Sequence, residues 1–169
     1  MSFHLEETMN VFSDGDLARP NKFMVEIPAL SDRFRFMAKG ASVPPVSTGE
    51  VSRGFMGRKV YLAGDVQFEP WTVTVYNDAE FGIWDEIHQW FYQTDATDGN
   101  VFGATPAEYK REGFVHQYKR DTTGKKPVKT FGMQGMFPIN IGEIRLDWED
   151  NNSVQVFEVT FRYDYFIEV

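Results

Sequence analysis

No cysteine occurs in this chain. That excludes a disulfide framework and every thiolate metal site or thiol nucleophile. It fits assembly in a reducing compartment, where disulfides do not persist. Histidine is nearly as scarce, with His4, His88 and His116 standing in three different segments without metal-ligand spacing. No HExxH pair is present, no glycine-flanked serine elbow, and no glycine-rich loop leading into Lys-Ser or Lys-Thr. Gly124-Lys125-Lys126 lacks the phosphate-loop frame and reads as a turn. The acidic run Asp147-Trp148-Glu149-Asp150-Asn151-Asn152 lacks both the EF-hand spacing and its glycine, and reads as a solvated turn. No apolar run approaches the ~18 residues of a membrane-spanning helix. The start, Met1-Ser2-Phe3-His4-Leu5-Glu6-Glu7, shows no basic region followed by an apolar stretch, so no secretion signal or membrane anchor is expected. The sequence therefore offers no catalytic residues, no metal site and no cofactor motif.

Net positive charge is also missing. The formal net charge is −8, with 25 acids against 17 Lys and Arg. Nucleic-acid grip comes from cations neutralising phosphates, so a chain like this is a poor clamp. It suits a surface past which a polyanion slides. Arg53, Arg58 and Lys59 form one small basic cluster.

What the chain does have is aromatic residues: 16 Phe, 7 Tyr and 4 Trp in 169 residues, a length that makes one domain spanning 1–169. Aromatic and β-branched residues favour well-filled strand faces. Alternation predicts strands through Phe23, Val25 and Ile27, then through Phe34 and Phe36, paired as a hairpin around 29–32. Residues 60–68 predict a strand with a bulge at Gly64-Asp65, and Trp71-Thr72-Val73-Thr74-Val75-Tyr76 is the clearest strand of all. A strand pair is predicted over 114–120 and 128–136, with bulges at Gly132 and Gly135. Another is predicted over 144–148 and 154–167, whose last strand sets Phe157, Val159, Phe161, Tyr163 and Tyr165 against Val156, Glu158, Thr160, Arg162 and Asp164. One aromatic side and one charged side mark an antiparallel sheet with a wet face.

Two stretches break this period. Residues 3–12 read as a short helix ending near Ser13-Asp14-Gly15-Asp16. From 78 to 92, Phe81, Trp84, Ile87, His88 and Phe91 recur at helical steps, with Asn77 as cap and Glu80 as its capping-box partner; this stripe is expected to face the core. Residues 40–59, with Pro44-Pro45 and many small side chains, read as a long irregular loop ending in Arg53-Gly54-Phe55-Met56-Gly57-Arg58-Lys59. Phe55 and Met56 on a projecting loop suit burial against a partner. The architecture implied is mainly β: an antiparallel β-sandwich or flattened barrel of about eight strands, with one flanking α-helix.

Several stretches, in order and in register over nearly the whole chain, resemble the tube proteins of contractile-tailed, T4-like bacteriophages. They include Gly15-Asp16-Leu17-Ala18-Arg19-Pro20-Asn21 with Phe23-Met24-Val25-Glu26-Ile27, Gly54-Phe55-Met56-Gly57-Arg58-Lys59 with Ala63-Gly64-Asp65, and Trp71 to Asp78. Pro106-Ala107-Glu108-Tyr109-Lys110, Gln117-Tyr118-Lys119-Arg120-Asp121, Phe137-Pro138-Ile139-Asn140-Ile141-Gly142-Glu143, Leu146-Asp147-Trp148, Asn151-Asn152 and Phe157-Glu158-Val159-Thr160 continue it. The resemblance implies a tail-tube subunit that forms hexameric rings, its strands joining those of its neighbours in one β-barrel around a channel. Rings would stack head to tail inside a contractile sheath, and double-stranded DNA would pass along the lumen without specific binding. It implies tail sheath, baseplate and tail terminator proteins as further partners, assembly in the host bacterial cytoplasm and a final place in the virion. It gives 46–59, and above all Arg53 to Lys59, an inter-ring stacking role, and puts the helix outside the barrel. Alternation alone nominates Glu26, Asp65, Glu143, Glu158 and Asp164 as lumen-facing acids. Two other readings stand: the tube of a phage-derived contractile injection particle carrying no DNA, and a small-molecule-binding β-barrel.

Overall fold

The computed structural model describes residues 18–94, 103–119 and 126–168. The expected helix over 3–12 and the turn at 121–125 lie outside the described residues. Nine strands and three helices follow in chain order among the described residues: β1 (Phe23–Glu26), α1 (Asp32–Met37), β2 (Ala38–Ala41), β3 (Val46–Phe55), β4 (Arg58–Phe68), β5 (Trp71–Tyr76), α2 (Gly82–Gln93), α3 (Pro106–Tyr109), β6 (Arg111–Gln117), β7 (Lys129–Ile141), β8 (Val156–Arg162) and β9 (Tyr165–Glu168). Seven strands form one antiparallel sheet, ordered β1-β6-β7-β8-β5-β2 with β9 also on β7; β3 and β4 stand apart as a two-stranded ribbon.

Strand β7 changes partners along its length. Its first part pairs with β6 and β9, and its second part, from Phe137, pairs with β8. An extra residue enters β7 between Met133 and Met136, and Gly135 there takes φ +66°. The bulge expected at Gly135 is therefore present; Gly132 instead pairs regularly with both Phe114 and Ile167. A Cβ at Gly135 would meet the Asp164 carboxylate, which Lys110 Nζ holds at 2.7 Å. Gly135→Ala combines strain at positive φ with that collision, and is expected to cost about 1–3 kcal/mol. An unchanged urea midpoint would contradict this.

The sheet packs against one core. Trp71, Val73 and Val75 of β5 and Phe157, Val159 and Phe161 of β8 point inward, as the alternation predicts, together with Val25, Val115 and Met133. Helix α2 lays Ile83, Ile87 and Trp90 on them at four- and three-residue steps. This corrects the expected stripe. Of Phe81, Trp84, Ile87, His88 and Phe91, only Ile87 is fully buried. Phe81, Trp84, His88 and Tyr92 form a ring-on-ring ladder along the helix flank, with Trp84 and His88 stacked at 4.2 Å. The start of the helix differs as well. Phe81 precedes it at φ +56°, Asp78 Oδ1 accepts from the Ile83 N–H, and Asn77 is buried against Gln155 rather than capping.

Three other expectations are corrected. Residues 32–37 are helix, not the second strand of a hairpin, and β1 pairs with β6 instead. Phe34 and Phe36 do not share a face: Phe34 is in the core and Phe36 is exposed. Phe34 and Met37, three apart, face inward, while Arg35 reaches Glu26 at 2.7 Å. Residues 144–148 form no strand; 142–155 is a loop joining β7 to β8. Finally the last strand is broken after Arg162, because Asp164 turns its N–H to the Gln134 carbonyl and β9 restarts on β7, leaving Tyr165 exposed.

Candidate assembly interface

The expected loop at 40–59 is strand over most of its length: β2, then the arm formed by β3 and β4. Its tip is a two-residue turn. Met56 takes φ +45° and Gly57 φ +78°, between the paired residues Phe55 and Arg58. Two consecutive positive φ values match the right-handed twist of a hairpin. Glycine meets that demand freely; Met56 does so at a strain cost, with its side chain 90% exposed.

Register decides what each face of the arm carries. Val51 opposes Leu62, Arg53 opposes Val60 and Phe55 opposes Arg58, so these six side chains share one face. Glu50, Ser52, Gly54, Lys59, Tyr61 and Ala63 share the other. The extra residue at Gly64-Asp65 is the bulge the sequence predicts, and it switches the apolar side, placing Val46, Val66 and Phe68 with the second face near the root. Apart from Gly49, Gly64 and Phe68, every arm residue is exposed.

The root, by contrast, is fixed. Trp71 Nε1 donates to the Ser42 carbonyl at 2.7 Å, and Tyr163 Oη donates to the Pro45 carbonyl at 3.2 Å. Burial pushes the Tyr163 phenol up from its ordinary pKa. Phe68 packs its ring on Tyr163 and Phe166. A two-stranded ribbon alone is marginal in water. This one is held at its base and offers apolar side chains and two unpaired edges along its length.

The nominated acids lie in different settings. Glu158 stands on the solvent face of β8, beside Thr160, whose hydroxyl meets Thr72 at 3.2 Å. Glu26 is half-buried and paired with Arg35. Asp65 sits at the arm's bulge, Glu143 in the loop after β7, and Asp164 at the β8–β9 break, held by Lys110. The structure thus brings Arg53, Phe55, Met56, Arg58 and Lys59 together at one tip, and scatters the five acids. Sequence reading missed Val51, Val60 and Leu62 as tip-face residues; a Met-Gly pair between two alternating runs was the available sign.

The family model described as phage tail tube protein matches residues 10–169. The chain belongs to the phage tail tube protein family. The tail tube protein gp19 of Enterobacteria phage T4 is 39% identical over 161 residues, covering 95% of this chain and 98% of the relative. The chain is thus a structural subunit of a contractile phage tail, a virion component, and not an enzyme. The fold is shared more widely. The sheath-tube complex of PVC, an extracellular contractile injection system, contains a chain that superposes with TM-score 0.65 at 15% identity, covering 99% of each chain. The PVC sheath/tube terminator contains one at TM-score 0.68 and 15% identity, covering 92% of this tail tube chain and 98% of its own.

Proposed function

We propose that this subunit closes into hexameric rings that stack head to tail into a tube conducting double-stranded DNA. The observation that carries the reading is the arm. A ribbon with Val51, Phe55, Met56, Val60 and Leu62 exposed needs a protein surface to cover it, and in a tube the adjacent ring supplies one. Arg53 to Lys59 is then the stacking segment. Ring closure covers the open edges of the seven-stranded sheet. Cyclic closure plus a second, head-to-tail contact yields a filament instead of a finite oligomer. The wet face of β5 and β8, with Glu158, Thr72 and Thr160, is assigned to the channel, where an acidic wall repels phosphates and limits sticking. The other acids, Glu26, Asp65, Glu143 and Asp164, are weaker candidates: two are held by ion pairs and two lie off the sheet face.

The PVC assemblies named above contain sheath and terminator. Tail sheath, terminator and baseplate proteins are accordingly proposed as partners, the sheath on the outer side with α2, after assembly in the host cytoplasm. A contractile injection particle without DNA is the second reading, favoured by the fold match to PVC over the whole chain; capsid and terminase genes beside this one would decide against it. Negative-stain microscopy of purified protein tests the assembly itself. Rings or tubes with an axial hole are expected, and a strictly monomeric species at every concentration and salt would sink the proposal.

A further inference from the structure

The arm needs a receiving surface, and the molecule carries one whose chemistry mirrors the tip. The tip holds Arg53, Arg58 and Lys59 around Phe55 and Met56, and the chain from 51 to 64 contains no acid. Among the described residues, none of those three cations pairs with a carboxylate. The loop at 142–155 holds Glu143, Asp147, Glu149 and Asp150 against one cation, Arg145. Within it Leu146 is 79% exposed and Trp148 fully exposed. Its shape is set from inside: Asp147 Oδ1 accepts from the Glu149 N–H, and Asp150 accepts from the Ser153 hydroxyl. The loop borders an open hollow shared with Lys39 and Val156.

Topology prevents a molecule from satisfying itself. Strand β5 runs from Trp71, paired with Phe161, to Tyr76, paired with Val156. The arm leaves the sheet at the Trp71 end, through Phe68 and Ser42. The loop joins β7 to Val156 and lies at the Tyr76 end. Six residues of strand separate the ends by about 20 Å, and the arm's ten-residue strand reaches a further ~30 Å outward. A basic, apolar projection at one end and an acidic loop bearing an exposed tryptophan at the other form a head-to-tail pair. Heterologous contacts of that kind propagate as filaments wherever their rotation does not close a ring.

We infer that the arm tip of one copy docks on the 142–155 loop of a second copy. Phe55 and Met56 would cover Leu146 and Trp148, and Arg53 and Arg58, which share the face of Phe55, would meet Asp147, Glu149 and Asp150. Arginine over an indole face adds attraction to the charge pairing. Such an anchor, central and rimmed by opposite charge, is where binding energy concentrates. The inference rests on the self-assembly reading and adds to it the identity of the receiving surface.

Charge exchange tests it. The double variants Arg53→Glu/Arg58→Glu and Asp147→Lys/Glu149→Lys should each raise the critical concentration for polymerisation on the order of 100-fold, since like charges would then meet. The chain carrying all four changes should recover most of it. Because the chain has no cysteine, a second measurement is clean: Met56→Cys protein mixed with Trp148→Cys protein and oxidised should yield a disulfide-linked peptide pair joining 56 to 148. That readout also covers a charge variant that fails to fold. If the wild type polymerises while all charge variants match it and no 56–148 link forms, the docking inference is overturned and self-assembly stands. A wild type that never polymerises overturns both.

Discussion

The Phe55→Ser, Met56→Ser chain is expected to melt within about 2 °C of the parent and yet to form no long tubes. The first half follows from exposure. Phe55 is 68% and Met56 90% exposed in the single subunit, so the body of the domain loses almost no packing. Surface changes away from special features usually shift stability by no more than about 0.5 kcal/mol. The second half follows from what assembly would bury. Covering a large apolar side chain is worth roughly 1.5–3 kcal/mol. Two such losses per contact weaken association on the order of 10²- to 10⁴-fold. Sedimentation and microscopy at matched concentration read the loss, and calorimetry on the unassembled subunit reads the melt. Equal damage to both would mean that the tip is part of the folding core. Serine removes the apolar surface, and at position 56 it replaces one non-glycine residue at positive φ by another, so the turn's strain is little changed.

Where the signal was periodic over five or more residues and one face was fully buried, the sequence was readable. Trp71-Thr72-Val73-Thr74-Val75-Tyr76 and Phe157 to Phe161 landed in register against each other, because burial of one face penalises any slip by one residue. The failures have three causes. Phe34 and Phe36 alternate over too few residues to separate strand from helix, and the helix won through Asp32, Arg35 and the inward step from Phe34 to Met37. The arm hid because neither face is buried in the single chain, so β3 shows no core alternation. On α2 two neighbouring helical stripes were both apolar, and the choice between Ile83-Ile87-Trp90 and Phe81-Trp84-His88 depended on which way the helix was turned against β7. The sequence made legible that Arg53 to Lys59 sit together on an exposed projection, which is the hairpin tip. The loop bearing Trp148 was not, since an acidic turn with one aromatic residue carries no period.

Replacing Phe161 by alanine is expected to damage the subunit severely. Its ring is completely buried, 5.7 Å from Trp71 and 5.7 Å from Trp90. It thereby joins the sheet to helix α2, and its backbone pairs with β5 on one side and β7 on the other. Neither indole is free to fill the space. Trp71 Nε1 is held by Ser42, and Trp90 Nε1 donates to the Tyr109 carbonyl at 2.7 Å with Arg111 stacked on its face at 4.9 Å. A site that collapses poorly keeps its cavity, so the loss belongs at about 3–5 kcal/mol. For a domain of this size each kcal/mol shifts the melting temperature by roughly 2–4 °C, so a fall of about 6–20 °C is expected. Phe161→Leu keeps most of the volume and should lose well under half as much. A fall below about 3 °C for the alanine variant would show that Phe161 does not couple helix to sheet. The same experiment separates the molecule's two kinds of aromatic surface. Loss at Phe161 reaches the arm's root through Trp71 and Ser42, so assembly fails together with folding, whereas loss at Phe55 leaves the fold intact and removes assembly alone.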